Sequence, residues 1–210
     1  MIPVARDAFL FVLPLLGIAG ALFLLRLPGW GLIPVILAVG VGLFFRDPER
    51  VVPQGPGLVV APADGRVMVV RQGVSADGEG PGAFSQVSIF LSVLDVHVNR
   101  APYGGKVEAL RYRPGRFVVA WREEASRVNE QAVIALATPE GPVTVKQIAG
   151  VLARRVVTWI RPGQELKTGE RIGLIRFGSR VDLLVPQRVA VAVKVGERVR
   201  GGETVVGVFR

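Results

Sequence analysis

Cysteine is missing altogether from the 210 residues. That absence excludes disulfides, thiolate nucleophiles, Cys-ligated zinc and iron–sulfur clusters. Histidine occurs once, as His97, so zinc sites built on two or three imidazoles are excluded too. Proton transfer at neutral pH therefore has one obvious candidate. Lysine occurs four times against 22 arginines, and charged residues are only 20% of the chain while half is hydrophobic, which excludes a disordered polypeptide. Acidic side chains are in the minority, leaving a formal net charge of +9, of which residues 1–50 carry +1 and the rest +8. Such a surface suits nucleic acid or an anionic membrane; a genome rich in arginine codons would give the same excess. The length fits one ordinary domain plus an appendage. The 26 glycines and 15 prolines favour a β-rich, turn-rich fold.

Charge is absent from two long runs near the N-terminus. Residues 8–25 and 27–45 are uncharged, separated by Arg26. As helix, 18 residues reach ~27 Å, close to the hydrocarbon thickness of a bilayer. The pattern predicts a hydrophobic helical hairpin over 1–50, turning around Arg26-Leu-Pro-Gly-Trp30, with a β domain over 51–210. Trp30 and Arg26 suit a membrane interface, and Arg6, Arg46 and Arg50 place both ends on the cytoplasmic side. A cleaved signal peptide is the competing reading, but the apolar stretch is too long for it. Pro14, Pro28 and Pro34 leave two full spans and a re-entrant or single-span arrangement both open.

From Val51 onward, short apolar runs alternate with Gly, Pro and Asp. Residues 58–60, 66–70, 87–91, 143–148, 151–159, 171–177 and 181–185 read as strands. Residues 131–137 also look like a strand, 123–128 like a helical turn or loop, and 72–84 like a Gly-rich loop. One repeat stands out. Residues 162–175 match 195–208 at an offset of 33, with Gly163 on Gly196, Leu166 on Val199, Gly169 on Gly202, Glu170 on Glu203 and Ile172 on Val205. This pattern is two tight turns around a short strand, with glycine where φ must be positive. It resembles the half-motifs of biotinyl/lipoyl-type barrel-sandwich folds, and Ala61-Pro-Ala-Asp-Gly-Arg-Val67 begins a related half. The expected architecture is mainly β, a compact sandwich or barrel with barrel-sandwich-like repeats behind a helical hairpin.

Three residues invite a chemical reading. His97 lies in an alternating stretch that sets Asp95, His97 and Asn99 on one face of a continuing strand. Gly178-Ser179 interrupts an apolar run, and Gly178 has no Cβ to hinder attack on its carbonyl. Asp64 sits in Pro62-Ala-Asp-Gly65. Taken singly, the plainer readings are a structural histidine, a bulge and a turn former. Together, Asp64, His97 and Ser179 supply orienter, base and nucleophile, and triads on unrelated folds occur in different chain orders.

Five ordered motifs then carry a resemblance over nearly the whole chain: Phe45-Arg-Asp-Pro48, Pro62-Ala-Asp-Gly65, Leu94-Asp-Val-His-Val-Asn-Arg-Ala-Pro102, Gln147-Ile-Ala-Gly150 with Ala153-Arg-Arg155, and Ile175-Arg-Phe-Gly-Ser-Arg-Val-Asp182. The chain resembles the short bacterial/archaeal branch of the phosphatidylserine decarboxylases. The resemblance implies a proenzyme that cuts itself between Gly178 and Ser179 and turns Ser179 into a covalent pyruvoyl group, with no metal. It implies a membrane-associated β chain, 1–178, and a small α chain, 179–210, held as a heterodimer or a dimer of heterodimers. Phosphatidylserine in the cell membrane is the implied partner, and nucleic acid is not expected. Losing carboxylate from an α-amino acid leaves a carbanion that needs an electron sink, which a ketone provides and no ordinary side chain does. Arg111, Arg113 and Arg116 are candidates for the lipid phosphate, or a solvated basic turn.

Two departures stand out. The longer branch has an H-x-x-H arrangement, whereas here His97 fills the first position and Arg100 the second. The cleavage site is Phe-Gly-Ser-Arg instead of the Leu-Gly-Ser-Thr type. One imidazole would then serve both self-cleavage and decarboxylation, unless Arg100 or water takes one role. The rival class is a membrane-anchored adaptor or lipoyl-like carrier. An adaptor needs a long helical hairpin between half-motifs, for which the spacing leaves no room. A carrier needs a lysine at a hairpin tip, whereas Lys167 lies inside a repeat and Lys194 directly precedes one.

Overall fold

The computed structural model describes residues 3–78, 80–151, 155–176 and 179–210. Its contacts divide the chain into two compact units, Met1–Glu49 and Arg50–Arg210.

In the first unit a short 3₁₀ turn, Arg6–Ala8, leads into α1 (Phe9–Leu24), and α2 (Pro28–Phe44) returns antiparallel to it. Pro28 starts α2, where its missing N–H costs nothing. Arg26 takes the left-handed conformation that reverses the chain, at φ 57°. The close approach of the helices rests on Gly31, whose hydrogen faces the Phe23 ring; a Cβ there would come within 3.1 Å of it. The ends are tied together: Ala5 N–H donates to Phe45 O at 2.8 Å and Asp47 N–H to Pro3 O at 2.7 Å. Most leucines and isoleucines of the pair face outward, Leu24 being 86% exposed. Arg6–Leu24, at 19 residues, is long and apolar enough to cross a membrane, whereas α2 has 17.

The second unit is antiparallel β throughout. Its strands are β1 (Leu58–Val60), β2 (Gly65–Val74), β3 (Pro81–Leu91), β4 (Val98–Arg100), β5 (Gly105–Arg113), β6 (Gln131–Thr138), β7 (Gly141–Ile148), β8 (Val156–Thr158), β9 (Glu165–Leu166), β10 (Arg171–Ile175), β11 (Ser179–Pro186), β12 (Val189–Val191), β13 (Arg198–Val199) and β14 (Val205–Phe209), with one helical turn, α3 (Ala125–Val128), before β6. They form an eight-stranded sheet ordered β13-β2-β3-β11-β7-β6-β5-β9 and two three-stranded sheets, β1-β14-β12 and β4-β10-β8. Ile89, Leu91, Ile134, Leu136, Ile172, Val181 and Leu183 are fully buried in one core that spans the sheets.

The architecture is a nested duplication. The turn Ala61-Pro-x-x-Gly-Arg-Val67 has a counterpart forty residues on, Ala101-Pro-x-x-Gly-Lys-Val107. Each is closed by one of the offset-33 repeats. Gly202 N–H donates to Ala61 O at 2.9 Å as Gly169 N–H does to Ala101 O at 2.8 Å, and Val67 N–H donates to Glu197 O at 2.9 Å as Val107 N–H does to Gln164 O at 2.8 Å. The glycines that flank β9 and β13 have φ of 79–94°, the left-handed values those tight turns require.

Several boundaries differ from expectation. The expected loop 72–84 is mostly strand: β2 runs to Val74 and β3 starts at Pro81, because cross-strand pairing continues past the glycines. Among the described residues of 151–159 only Val156–Thr158 is strand, and β10 stops at Ile175; Leu152, Ala153, Arg154 and Phe177 lie outside the described residues. β5, taken in part as a basic turn, is nine residues of strand. Its charges alternate with Val107, which points into the core.

Candidate active site

Ser179 is the first residue of β11, the strand held on both sides at the centre of the large sheet. It stands opposite Leu91 on β3, and Arg180 stands opposite Phe90 on β3 and Ile148 on β7. Its side chain is wholly buried, and Oγ has no hydrogen-bond partner among the described residues. A buried hydroxyl left unbonded costs about 1–3 kcal/mol. Nothing in the packing requires a hydroxyl there. Gly178, the expected scissile partner, lies outside the described residues.

His97 lies on the segment that follows Leu91, the residue opposite Ser179. The 91–97 segment leaves β3 opposite Ser179 and arrives beside β10, where Ile175 N–H donates to His97 O at 3.3 Å. His97 is 2% exposed. Its Nδ1 is 2.9 Å from Asp95 O. A carbonyl only accepts, so Nδ1 carries the proton and Nε2 is the basic nitrogen. Asp95 is itself fixed: its carboxylate accepts from Ser92 N–H and Oγ–H at 2.8 and 2.6 Å. The expected strand through Asp95, His97 and Asn99 begins only at Val98, so Asp95 caps a turn and does not share a face with His97.

The carboxylate expected to orient the imidazole is engaged elsewhere. Asp64 accepts two bonds from Arg50 Nη2, at 2.8 and 3.1 Å, and one from Gly201 N–H at 2.8 Å. No bond joins Asp64 to His97 among the described residues; the tautomer is set by the Asp95 backbone. The link from the Asp64 turn to the His97 strand runs through main chain, Arg100 N–H donating to Pro62 O at 2.9 Å. Burial raises the Asp64 pKa, and the Arg50 guanidinium and the Gly201 N–H lower it by less. Arg100, at the second position of the H-x-x-H pattern, is buried and donates to Gly169 O at 3.1 Å.

One prediction follows from this pair. Arg50→Leu leaves the partly buried Asp64 carboxylate without its cation, which should cost about 1–3 kcal/mol at neutral pH. Burial then acts on Asp64 with less to oppose it. A carboxyl whose folded-state pKa is raised stabilises the fold below its unfolded value and loses that contribution as pH rises through the folded one. Thermal unfolding of Arg50→Leu should therefore show its deficit shrinking toward acid pH. A deficit independent of pH would contradict the assignment.

Two buried amides, both present in the sequence motifs but given no role there, belong to the site. Asn99 Oδ1 accepts from Gln147 Nε2 at 2.8 Å, and Asn99 Nδ2 and Gln147 Oε1 have no partner among the described residues. Gln147 stands opposite Val181, so its side chain shares the Ser179 face of the sheet. Gly173 leaves room for it; a Cβ there would lie 3.2 Å from Gln147 Nε2 and 2.2 Å from Val157 O. The readable signal was an amide at an inward position of an apolar run, in Val-Asn-Arg and Val-Lys-Gln-Ile. On the opposite face, Arg180 Nε donates to Asp182 at 2.6 Å and Arg180 Nη2 to Ser88 Oγ at 2.9 Å, which anchors the start of β11.

The three arginines proposed for phosphate do not meet Ser179. Arg111 and Arg113 are exposed on β5 and Arg116 lies just beyond it. The register carries Arg113 to Gln131, Ile148 and Arg180 in turn, so Arg113 ends the same rung as Arg180, three strands away. Among the described residues no cluster of three or more His, Asp or Glu could hold a metal ion.

A hydroxyl kept dry and without a partner among the described residues, in a domain that also buries an imidazole of fixed tautomer, gains a carrier or adaptor nothing and costs it stability. The unit is built as an enzyme. Comparison with known proteins agrees. The family model described as phosphatidylserine decarboxylase matches residues 40–207. The chain is 48% identical to the phosphatidylserine decarboxylase proenzyme of Symbiobacterium thermophilum, over 97% of this chain and 94% of that one. The proenzymes of Cereibacter sphaeroides and Desulfotalea psychrophila are 44% and 42% identical, covering 97% and 98% of this chain and 89% and 96% of theirs. The chain belongs to the phosphatidylserine decarboxylase family and is an enzyme of that type.

Proposed function

We propose that the chain matures by its own chemistry, cut between Gly178 and Ser179, and then decarboxylates phosphatidylserine to phosphatidylethanolamine and CO2 at the membrane. The observation that carries this reading is the buried, unbonded Ser179 Oγ at the head of β11. His97 Nε2 takes the Ser179 proton, with Nδ1 held by the Asp95 carbonyl. Oγ attacks the Gly178 carbonyl carbon, the C–N bond breaks, and the amide becomes an ester with a free amine on residue 179. Loss of the α-proton expels the Gly178 carboxylate and leaves a dehydroalanine; tautomerisation and one water release ammonia and leave a pyruvoyl group. That group would supply a ketone as the electron sink for the pair left on the substrate Cα when the Cα–carboxyl bond breaks and CO2 departs. The residues fit it. Ser179 is buried away from bulk water, β11 is fixed from both sides, and Arg180 anchors the new chain start.

In the second reaction His97 is the proton source for the substrate Cα, and Asn99 and Gln147 supply unspent amide atoms in the buried gap. Asp64 acts as a positioning residue through the Pro62–Arg100 main-chain bond. The pieces 1–178 and 179–210 remain together as a heterodimer. The apolar helix Arg6–Leu24 anchors the enzyme in the cell membrane, with the β domain on the cytoplasmic side. Mass spectrometry of phosphatidylserine vesicles treated with the purified protein should show loss of 44 Da per converted lipid, the mass of CO2. Intact-mass analysis should show a 179–210 fragment without a free N-terminal amine. Unchanged lipid with a cleaved, amine-free fragment would keep the maturation and reject the substrate.

A further inference from the structure

We infer that the Ser179 end of the β domain is itself a bilayer-docking surface, independent of the N-terminal helices. This rests on the phosphatidylserine reading and adds to it a second contact with the lipid. The register defines that end. Leu91, Ser179, Ile148, Gln131 and Arg113 terminate or begin their strands along one edge. The connections that leave it carry exposed apolar side chains: Leu94 is 83% exposed, Trp121 62%, Val93 and Val151 47% each. Leu94 is three residues beyond Leu91, and Val151 three beyond Ile148. At no more than ~3.5 Å per residue, each tip lies within about 10 Å of the strand end. Trp121 packs edge-on to Phe90, ring centroids 5.9 Å apart, on the same rung as Arg180.

The tip is built to stand out. The Asp95 carboxylate bonds both Ser92 N–H and Ser92 Oγ–H, and Arg198 sits 3.5 Å from its other oxygen. That closed turn turns Val93 and Leu94 to the outside while Val96 and His97 go inward. Exposed arginines, Arg113 and Arg122, accompany the apolar tips. Apolar tips, a tryptophan and guanidiniums together match an anionic headgroup layer over an acyl boundary. A protein partner would not explain why these tips gather at the strand ends next to the buried serine. A lipid whose reacting headgroup is fixed to the bilayer does, because the rim must meet the membrane for that headgroup to enter.

The absence of native cysteine makes the test clean. In full-length protein reconstituted in phosphatidylserine-containing vesicles, a fluorophore on a Leu94→Cys variant should be quenched by lipids spin-labelled in the shallow acyl region. A fluorophore on Lys106→Cys, at the opposite end of β5, should not. Separately, Leu94→Asp should lower turnover of vesicle phosphatidylserine about tenfold, the size of one lost leucine insertion. Self-cleavage and turnover of a monomeric short-chain phosphatidylserine should be retained. Equal quenching at both positions, or equal loss on both substrates, overturns the docking surface. Failure of the unsubstituted enzyme on both substrates strikes the substrate reading instead, which the quenching measurement does not depend on.

Discussion

Ser179→Ala should give a single full-length chain on a denaturing gel and no detectable decarboxylation. The residue sits in a fully buried position, so the smaller, apolar alanine fits and the fold should hold. Removing an unbonded buried hydroxyl should if anything raise stability slightly, a direction opposite to that of an ordinary core truncation. The combination is diagnostic: normal or higher melting temperature, no cleavage, no activity. Cleavage in this variant, or activity without cleavage, would remove Ser179 from the mechanism. Loss of fold would show instead that the hydroxyl has a structural partner.

His97→Ala should stop maturation almost as completely. General acid–base groups contribute ~10²–10⁴-fold, and no second imidazole exists to substitute. The protein should accumulate as the uncut form, with slow cleavage recoverable by added imidazole if only the base is missing. His97→Asn is the informative companion. Its amide keeps a donor at the Nδ1 position for the Asp95 carbonyl but lacks the basic nitrogen, so folding should survive and cleavage should not. If His97→Asn cleaves at a normal rate, the imidazole is structural and the base lies elsewhere, with Arg100 the wrong chemistry because its guanidinium stays charged. Asp95→Asn should leave cleavage nearly intact, since the bond to Nδ1 comes from the Asp95 main chain.

The sequence made the apolar helix pair, the mainly β fold and the repeat of 162–175 on 195–208 legible because each is a local pattern: charge-free runs, alternation, glycines at fixed offsets. Its other repeat, Ala61–Val67 on Ala101–Val107, went half-read. The copies share only Ala, Pro, Gly, a basic residue and Val, and their equivalence lies in which distant turn closes each one. β5 was missed for a related reason, since Lys106, Glu108, Arg111 and Arg113 mask the alternation around Val107. Ser179 and His97 were legible as types. What no sequence displays is how a carboxylate is spent, and Asp64 proved to be committed to Arg50 and Gly201. Asn99 and Gln147 were hidden because buried amides look like surface ones until the pairing of strands is known.

The place of β11 sets an order of events. Residues 179–210 supply the central strand of the large sheet and also β13, which pairs with β2, β14, which pairs with β1, and β12, which pairs with β14. A cut ahead of Ser179 removes one peptide bond and leaves every one of these ladders in place, so the short piece is woven in and not merely docked. Assembled from separate chains, the same structure would demand that a thirty-two-residue peptide find a slot between two strands that have no reason to hold it open. On the cleavage proposed above, construction precedes scission: the uncut chain acts as its own intramolecular template, and the cut protein, once unravelled, should be unable to rebuild itself at the concentrations at which the precursor folds.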